Sequence, residues 1–397
     1  MSIEFLSSFF LFFTKKIDFF SNSVKQNAAF NPYRVNKLLE VAMKNLYFLL
    51  VLVFALSGCS NTEPGTPPDE PGILTLMTWN VHNLCDGVDD GYEYDEFTQS
   101  AGWSQEKYMG RINAISAAIG SLKPHPDIIM LEEIESNVIL EDLAQALKKD
   151  YACSHFANNP GSAVGIGILS RLPFTEIKNH SISINGETTP RPVLETRVQT
   201  EGGDIILFVC HWKSKLGDDD VTENIRRSSV RVLLRRIREI SESEPDIGFI
   251  IAGDLNENYD EFFRRKASVI CALVPDDAYC VKLSNVKTEG QKDFFVITGN
   301  KPPLPVNFPQ ETITLFSPWL CDLQNGSYFY KHNWETIDHF LISGHFFDNS
   351  GWEYEKVMIG NFEPFAGSGG IPIPYNTKTG AGLSDHFPLI LTIKLLF

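Results

Sequence analysis

The sequence predicts an α/β domain, on two observations. Near-continuous apolar runs, of the kind found in central strands covered on both faces, alternate with stretches whose apolar residues recur at helical spacing. Nearly every apolar run also reaches a polar, chemically capable residue at one end. Hydrophobic residues make up 43% of the 397, enough for a large core and far from the composition of a disordered chain. No internal repeat marks a solenoid.

The elements follow in order. ILTLMTWN, residues 73–80, reads as a strand ending on Asn80. A helix over 106–122 comes next, with Met109, Ile112, Ile115, Ile119 and Leu122 on one stripe. Pro126-Asp127 opens IIMLEE, a strand ending at Glu132-Glu133. VGIGILS, VLETRVQT and DIILFVC are further strands, and the last delivers His211. Residues 222–241 read as a helix rich in arginine, and DIGFIIAGD as a buried strand ending at Asp254, two residues before Asn256. ETIDHFLIS carries Asp338 near its start, and Ser384-Asp385-His386 stands immediately before FPLILTIKLL.

Strand ends lying side by side would gather those polar residues on one rim. Asn80, Glu133, Asp254, Asn256 and Asp385 offer hard oxygen donors, which suit Mg²⁺, Mn²⁺ or Ca²⁺ rather than zinc. His211 and His386 add groups that titrate near neutral pH. Singly, each residue has a plainer role: Asn80 could cap the following turn, and Asp254 with Asn256 could form an Asx turn. Six separate segments, each with its polar residue at a strand edge, argue for a site.

TWNVHN, IIMLEEIE, HWKSK, IAGDLNEN, IDHFLIS and GLSDHFPL occur in this order. The ordered set resembles the endonuclease/exonuclease/phosphatase superfamily, over Asn80 to Leu389. That resemblance implies a four-layer α/β/β/α sandwich of two mixed sheets flanked by helices. It also implies that Asn80 and Glu133 hold a divalent metal with Asp385 close by, that Asp254 orients or activates the attacking water, and that Asn256 holds a phosphate oxygen. His386 is expected to be polarised by Asp338, and His211 to donate to the phosphate. Arg191-Pro192 resembles a pair that touches substrate phosphate in nuclease members, with a plain surface arginine as the alternative; Lys213 and Lys215 flank the site and would favour a polyanion.

Three details depart from the pattern or stay open. Glu132 stands where many relatives have Gln, and either faces the other side of its strand or adds a second negative charge near the metal. Cys210 replaces a frequent Asn and reads as core. The Arg-rich helix (226, 227, 231, 235, 236, 238) is either a nucleic-acid face or, preferably, a face salt-bridged to acidic neighbours.

Residues 43–58 read as a lipoprotein signal peptide: Lys44, a short apolar run, then LSGC, which resembles the bacterial lipobox with Cys59 as the lipidated residue. Residues 1–42 are expected to be an upstream extension of the gene, 59–72 a Pro-, Gly- and acid-rich spacer, and 73–397 the catalytic domain. The formal net charge of −16 argues against a domain that grips nucleic acid mainly by neutralising phosphates. Six further cysteines lack zinc spacing, and Cys271 with Cys280 is the favoured pairing.

These readings converge on an exported, membrane-anchored, Mg²⁺-dependent phosphodiester hydrolase (Mn²⁺ or Ca²⁺ as alternatives), foremost a nuclease cleaving DNA or RNA by in-line attack of an activated water. One alternative is a sphingomyelinase-like phosphodiesterase on a lipid head group or small phosphate ester, with the apolar stretch 307–319 as its membrane loop unless that stretch is core. Another is a catalytically silent, ligand-binding surface lipoprotein.

Overall fold

The computed structural model describes residues 72–148, 151–277, 293–303 and 313–396. The leader, Cys59, the spacer up to Pro71, and Cys280 with its expected pairing to Cys271 lie outside them. Cys85, Cys153, Cys210, Cys271 and Cys321 are free thiols.

In chain order the elements are β1 (Ile73–Leu84), α1 (Gln105–Gly120), β2 (Ile128–Ile134), α2 (Asn137–Leu147), β3 (Cys153–Ala157), β4 (Gly165–Ser170), β5 (Phe174–His180), the small hairpin β6 (Ser183–Ile184) and β7 (Glu187–Thr188), β8 (Val193–Val198) and β9 (Ile205–His211). Then follow α3 (Asp219–Ser243), β10 (Gly248–Asp254), α4 (Glu261–Arg264), β11 (Leu273–Pro275), β12 (Phe295–Thr298), β13 (Thr314–Phe316), the ribbon β14 (Tyr328–Tyr330) and β15 (Asn333–Glu335), β16 (Asp338–Ile342), β17 (Gly351–Ile359) and β18 (Leu389–Leu396).

Two mixed sheets carry the fold. The first runs β17-β18-β1-β2-β4-β3, and the second β11-β12-β13-β16-β10-β9-β8-β5. In the first sheet β1 and β2 are parallel; in the second β10 and β9 are parallel, while β16 and β8 flank them antiparallel.

The period of two along each strand sorts side chains into layers. Leu74 and Leu76 of β1, Ile128 and Met130 of β2, Leu207 and Val209 of β9, Ile250 and Ala252 of β10, and Phe340 and Ile342 of β16 share one core between the sheets. Their neighbours point away from it. Trp79, Ile129 and Leu131 pack under Ile112, Ile115 and Ile119 of α1 and Leu140 and Leu143 of α2. Phe208, Cys210, Phe249, Ile251 and Leu341 pack under Val230, Leu233, Leu234 and Ile237 of α3. The molecule is therefore the four-layer α/β/β/α sandwich, and Cys210 is core as expected.

Helix starts obey their caps. The Ser104 side chain accepts from the Lys107 amide ahead of α1, and Asp218 accepts from the Asp220 and Val221 amides ahead of α3. α1 consequently begins at Gln105, and α3 runs longer than expected, from Asp219 to Ser243. Met109, placed on the apolar stripe of α1, is exposed; Arg111 takes a core position instead. In the stretch 307–319, residues up to 312 lie outside the description, while Leu315, Phe316 and Trp319 are buried. That part is core and offers no apolar surface for a membrane.

Candidate active site

The same strand period that builds the inter-sheet core also builds the site. Continuing the inward-facing positions by one step, or by two on β1 past Thr78, brings Asn80 on β1, Glu132 on β2, His211 on β9, Asp254 on β10 and Asp338 on β16 to one end of the inter-sheet layer, all buried. β9, β10 and β16 are adjacent, and Asp254 pairs in register with both His211 and Asp338. Gly253 makes this possible: its φ is +129°, and a Cβ there would collide with the Cys210 carbonyl oxygen.

Glu133 would face outward by strand period. A register shift between Glu132 and Ile134, with Glu133 at φ 63°, turns it back to the rim. Its Oε1 lies 3.7 Å from His211 Nε2, and its Oε2 accepts from the Asn83 amide at 3.0 Å. Asn80 Nδ2 donates to Asp254 Oδ2 at 3.0 Å, and His211 Nε2 lies 3.5 Å from that same oxygen. The plainer roles are present as well. Asn80 Oδ1 accepts from the His82 amide, and Asp254 Oδ1 from the Asn256 amide, each at 2.9 Å. Each side chain thus closes a turn with one atom and reaches the site with the other. Asn256 is buried and donates its carboxamide to the Trp212 carbonyl at 3.2 Å.

His386 Nδ1 lies 2.9 Å from Asp338 Oδ2, which also accepts from the Ser327 hydroxyl. Burial alone would depress the His386 imidazole, but Asp338, Asp385 and Asp254 together hold its pKa well above the ordinary value. His211 goes the other way: burial, then the charges of Arg191 and His386, push it well below. The two histidines of one site are thus shifted in opposite directions, the separation that acid and base roles need. Burial, with Asp338 and Glu133 adding to it, raises Asp254 to about 7 against the opposing influence of His386 and Asn80.

Glu132 resolves the choice left open by the sequence. It faces inward, fully buried, and accepts from the Thr78 hydroxyl at 2.8 Å. Burial first, and Asp338 next, raise its pKa well above the ordinary carboxylate range. It sits beneath the site, where burial disfavours a second negative charge.

The donor set fits a hard divalent cation. Asn80 and Glu133 offer oxygens at the rim; Asp254, Asp338 and His386 bring ligand atoms within 4.8 Å of one another; and Asp338 Oδ1 is buried without a partner. Among the described residues no arginine or lysine pairs with these carboxylates, and a cation would offset their charge. Asp385 is half-buried nearby, its carboxylate 3.9 Å from His82 Nε2.

A cleft of about 520 Å³ opens beside His211, lined by Tyr92, Tyr94, Val164, Arg191, Trp212 and Lys213. Arg191 donates to the Trp212 carbonyl at 2.6 Å. Lys213 lines the cleft while its ammonium folds back onto Ser214 and Leu216. Lys215 is tied to Glu261 and Glu335 instead of facing a polyanion. The Arg-rich helix is largely paired: Arg226 with Glu223 and Glu257, Arg227 and Arg231 with Asp293, and Arg236 with Glu195.

Sequence reasoning missed the residues that hold the site in shape. Arg111 of α1 is buried and donates to the carbonyls of Val81, His82 and Asn83, where His82 and Asn83 take left-handed φ values of 56° and 55°. Its guanidinium also lies 4.0 Å from the Tyr375 ring centroid. It fastens the segment that carries Asn80 and the Asn83 amide. A signal existed: Tyr108, Arg111, Ile112 and Ile115 share the buried face of α1, so Arg111 occupies a core position by helical period. Ser384, which accepts from the His386 amide and donates to the Asn80 carbonyl, ties the two ends of the chain's motif set together. Tyr328 stacks on His386 with ring centroids 4.6 Å apart.

A profile of the endonuclease/exonuclease/phosphatase family matches residues 75–274, about half of the chain. Among solved structures the chain is similar to truncated Caenorhabditis elegans TDP2, at TM-score 0.47 and 13% identity over 81% of this chain and 97% of that one. It is similar to an endonuclease/exonuclease/phosphatase family protein from Bacteroides thetaiotaomicron, at TM-score 0.46 and 15% identity over 83% and 100%. A Bacteroides thetaiotaomicron mannosyl-6-phosphatase is similar at TM-score 0.43 and 15% identity over 82% and 100%. No curated protein matches the chain. With that profile match over the strands that deliver Asn80, Glu133, His211 and Asp254, the chain belongs to the endonuclease/exonuclease/phosphatase family, whose members hydrolyse phosphate esters and generally require divalent metals.

Proposed function

We propose that this protein is a Mg²⁺-dependent phosphodiester hydrolase, foremost a nuclease acting on DNA or RNA, exported and anchored to a membrane through Cys59. The single observation that carries the hydrolase reading is the convergence of two histidines on one set of inward-facing acids, His386 2.9 Å from Asp338 and His211 3.5 Å from Asp254. Anchoring rests on the LSGC ending of residues 43–59.

Asn80 and Glu133 would hold the cation, with Asp385 beside them. When bound, the metal would offset charge developing on the ester's non-bridging oxygens. Asp254, whose Oδ1 is fixed by the Asn256 amide, orients the attacking water and takes its proton. His386 is fixed by Asp338 through Nδ1, which leaves Nε2 as the charged donor to the phosphate's leaving oxygen, which takes the proton as its P–O bond breaks. Neutral His211 donates a hydrogen bond, and Asn256 contacts a second phosphate oxygen.

The test is hydrolysis by the purified protein with Mg²⁺ or Mn²⁺ of plasmid DNA, single-stranded RNA, sphingomyelin and bis(p-nitrophenyl) phosphate. Nicking of DNA or RNA is expected, abolished by EDTA and lowered about 10³-fold by His386→Ala. Turnover of the lipid or the small diester alone would replace the nuclease by a narrower phosphodiesterase. No turnover of any substrate by folded, metal-binding protein would sink the hydrolase reading.

A further inference from the structure

The cleft beside His211 has walls unlike the rest of the site. Four strands place acids and histidines at the rim, whereas the cleft is faced by two tyrosines from the β1–α1 loop, by buried Val164 and Trp212, and by the cations Arg191 and Lys213. Tyr92 is 59% exposed and Tyr94 41%, large for aromatic rings that line a cavity. The exposed parts of these rings add no packing to the fold, so their position invites a ligand with a face to cover them.

The loop that carries them is held at both ends. The Asp86 amide donates to Glu135 at 2.6 Å, and the Trp103 indole donates to the Asp86 carbonyl at 2.6 Å. Phe97 and Trp103 are buried edge-to-face with centroids 5.0 Å apart, and Trp103 packs in the same way on Tyr375. Tyr92 and Tyr94 therefore stand on a braced segment, and little ordering entropy is lost when a ring stacks on them. Tyr94 also feels Glu133 and Arg191: its phenol is raised first by burial and next by the Glu133 carboxylate, with Arg191 opposing. It stands where the rim meets the cleft.

Arg191 supplies the second half of the recognition. Its guanidinium is fixed on the Trp212 carbonyl and makes no ion pair among the described residues. In a protein of net charge −16, whose α3 arginines are largely matched to acids, an uncompensated cation beside His211 complements an anion.

We propose that this cleft is a base-binding subsite, in which Tyr92 and Tyr94 stack the nucleobase next to the scissile phosphate, on the side where Arg191 stands. The proposal rests on the hydrolase reading and narrows it: substrates are phosphodiesters with a flat unsaturated ring one linkage from the reacting phosphorus, and ring-free sugar or head-group esters are disfavoured. Stacking on aromatic rings tolerates every base, because each base has a π face.

The test compares the thymidine dinucleotide with the matching diester of two abasic deoxyriboses, which keeps the same scissile bond. For the native protein with Mg²⁺, KM for the dinucleotide is expected to be about tenfold lower. In the Tyr92→Ala/Tyr94→Ala variant that ratio collapses toward one, while Tyr92→Phe/Tyr94→Phe preserves it. Thermal unfolding of each variant shows whether the exposed substitutions leave the fold intact. A second readout needs no turnover: binding of thymidine 5′-monophosphate to His386→Ala protein, followed by calorimetry, weakens about tenfold when the two alanines are added. If the diesters are cleaved with equal KM in native and alanine proteins, the subsite falls and the hydrolase stands. If neither diester is cleaved but the mononucleotide loses affinity with the tyrosines, the subsite stands and the hydrolase falls. Mononucleotide binding that ignores the tyrosines overturns the proposal outright.

Discussion

Two sets of buried acids in this molecule have opposite fates. On the outer face of the second sheet, under α3, each acid meets an arginine. Arg236 takes Glu195, Arg226 bridges Glu223 and Glu257, and Arg227 with Arg231 takes Asp293. On the inner face, at the rim of the two sheets, Glu133, Asp254 and Asp338 pair with no arginine or lysine among the described residues, and an imidazole lies within 4 Å of each. Glu195 shows the first outcome: burial works against its carboxylate, but His180 and Arg236 outweigh that and hold its pKa at about 2, whereas fully buried Glu257, with Glu223 beside it, is raised even against Arg226. Asp254 shows the second, raised to about 7. Matched charges are architecture, and unmatched ones of a single sign are poised for a cation and an anionic substrate.

The contrast is most easily broken at Arg226. It is buried, it ties Glu223 to Glu257, and it donates to the Lys213 carbonyl. Arg226→Ala leaves two acids buried without their counter-charge and is expected to cost about 3 kcal/mol in denaturant unfolding. A loss below about 1 kcal/mol would mean that the acids of this face are not held by charge pairing at all.

Glu195 and Glu132 sharpen the contrast with the same chemical change. Because the Glu195 pKa is depressed to about 2, its stabilisation is present above the unfolded value of about 4.3 and drains away as pH falls toward 2. Glu195→Gln is expected to cost about 2 kcal/mol at neutral pH and to flatten the acid limb of the stability profile. Burial favours the uncharged form of Glu132, and its bond from Thr78 needs only a carbonyl-type oxygen. Glu132→Gln should therefore change stability at neutral pH by less than about 0.5 kcal/mol. A larger loss would show that Glu132 is ionised and belongs to the charged part of the site.

Legibility followed the range of the forces involved. The strands that deliver Asn80, Glu133, His211, Asp254 and Asp338 were readable because a covered strand is an apolar run and its polar end interrupts that run. α2, β3, β5 and β17 went unread. β5 alternates and is half-exposed, and β17 gains its place only by pairing with β18 at the sheet edge. The role of Glu132 was undecidable from residue type, since facing depends on where the bulge at Glu133 falls. The Arg111 clamp was hidden because its acceptors are backbone carbonyls, which carry no residue signature.

By itself the sequence determined the α/β class, the inventory of acids and histidines, and their positions at strand ends. These follow from period and burial, which are local properties of the chain. Only the tertiary structure decided which ends meet, which acids are matched by arginine, and which remain bare. Charge matching depends on distances between segments far apart in the chain: Arg236 and Glu195 are 41 residues apart, and His386 and Asp338 are 48. The tertiary structure likewise turned an unreadable loop into two aromatic rings beside His211. The strain at Glu133 and the braces at Phe97 and Trp103 act across space, and no run of neighbouring residues encodes them alone.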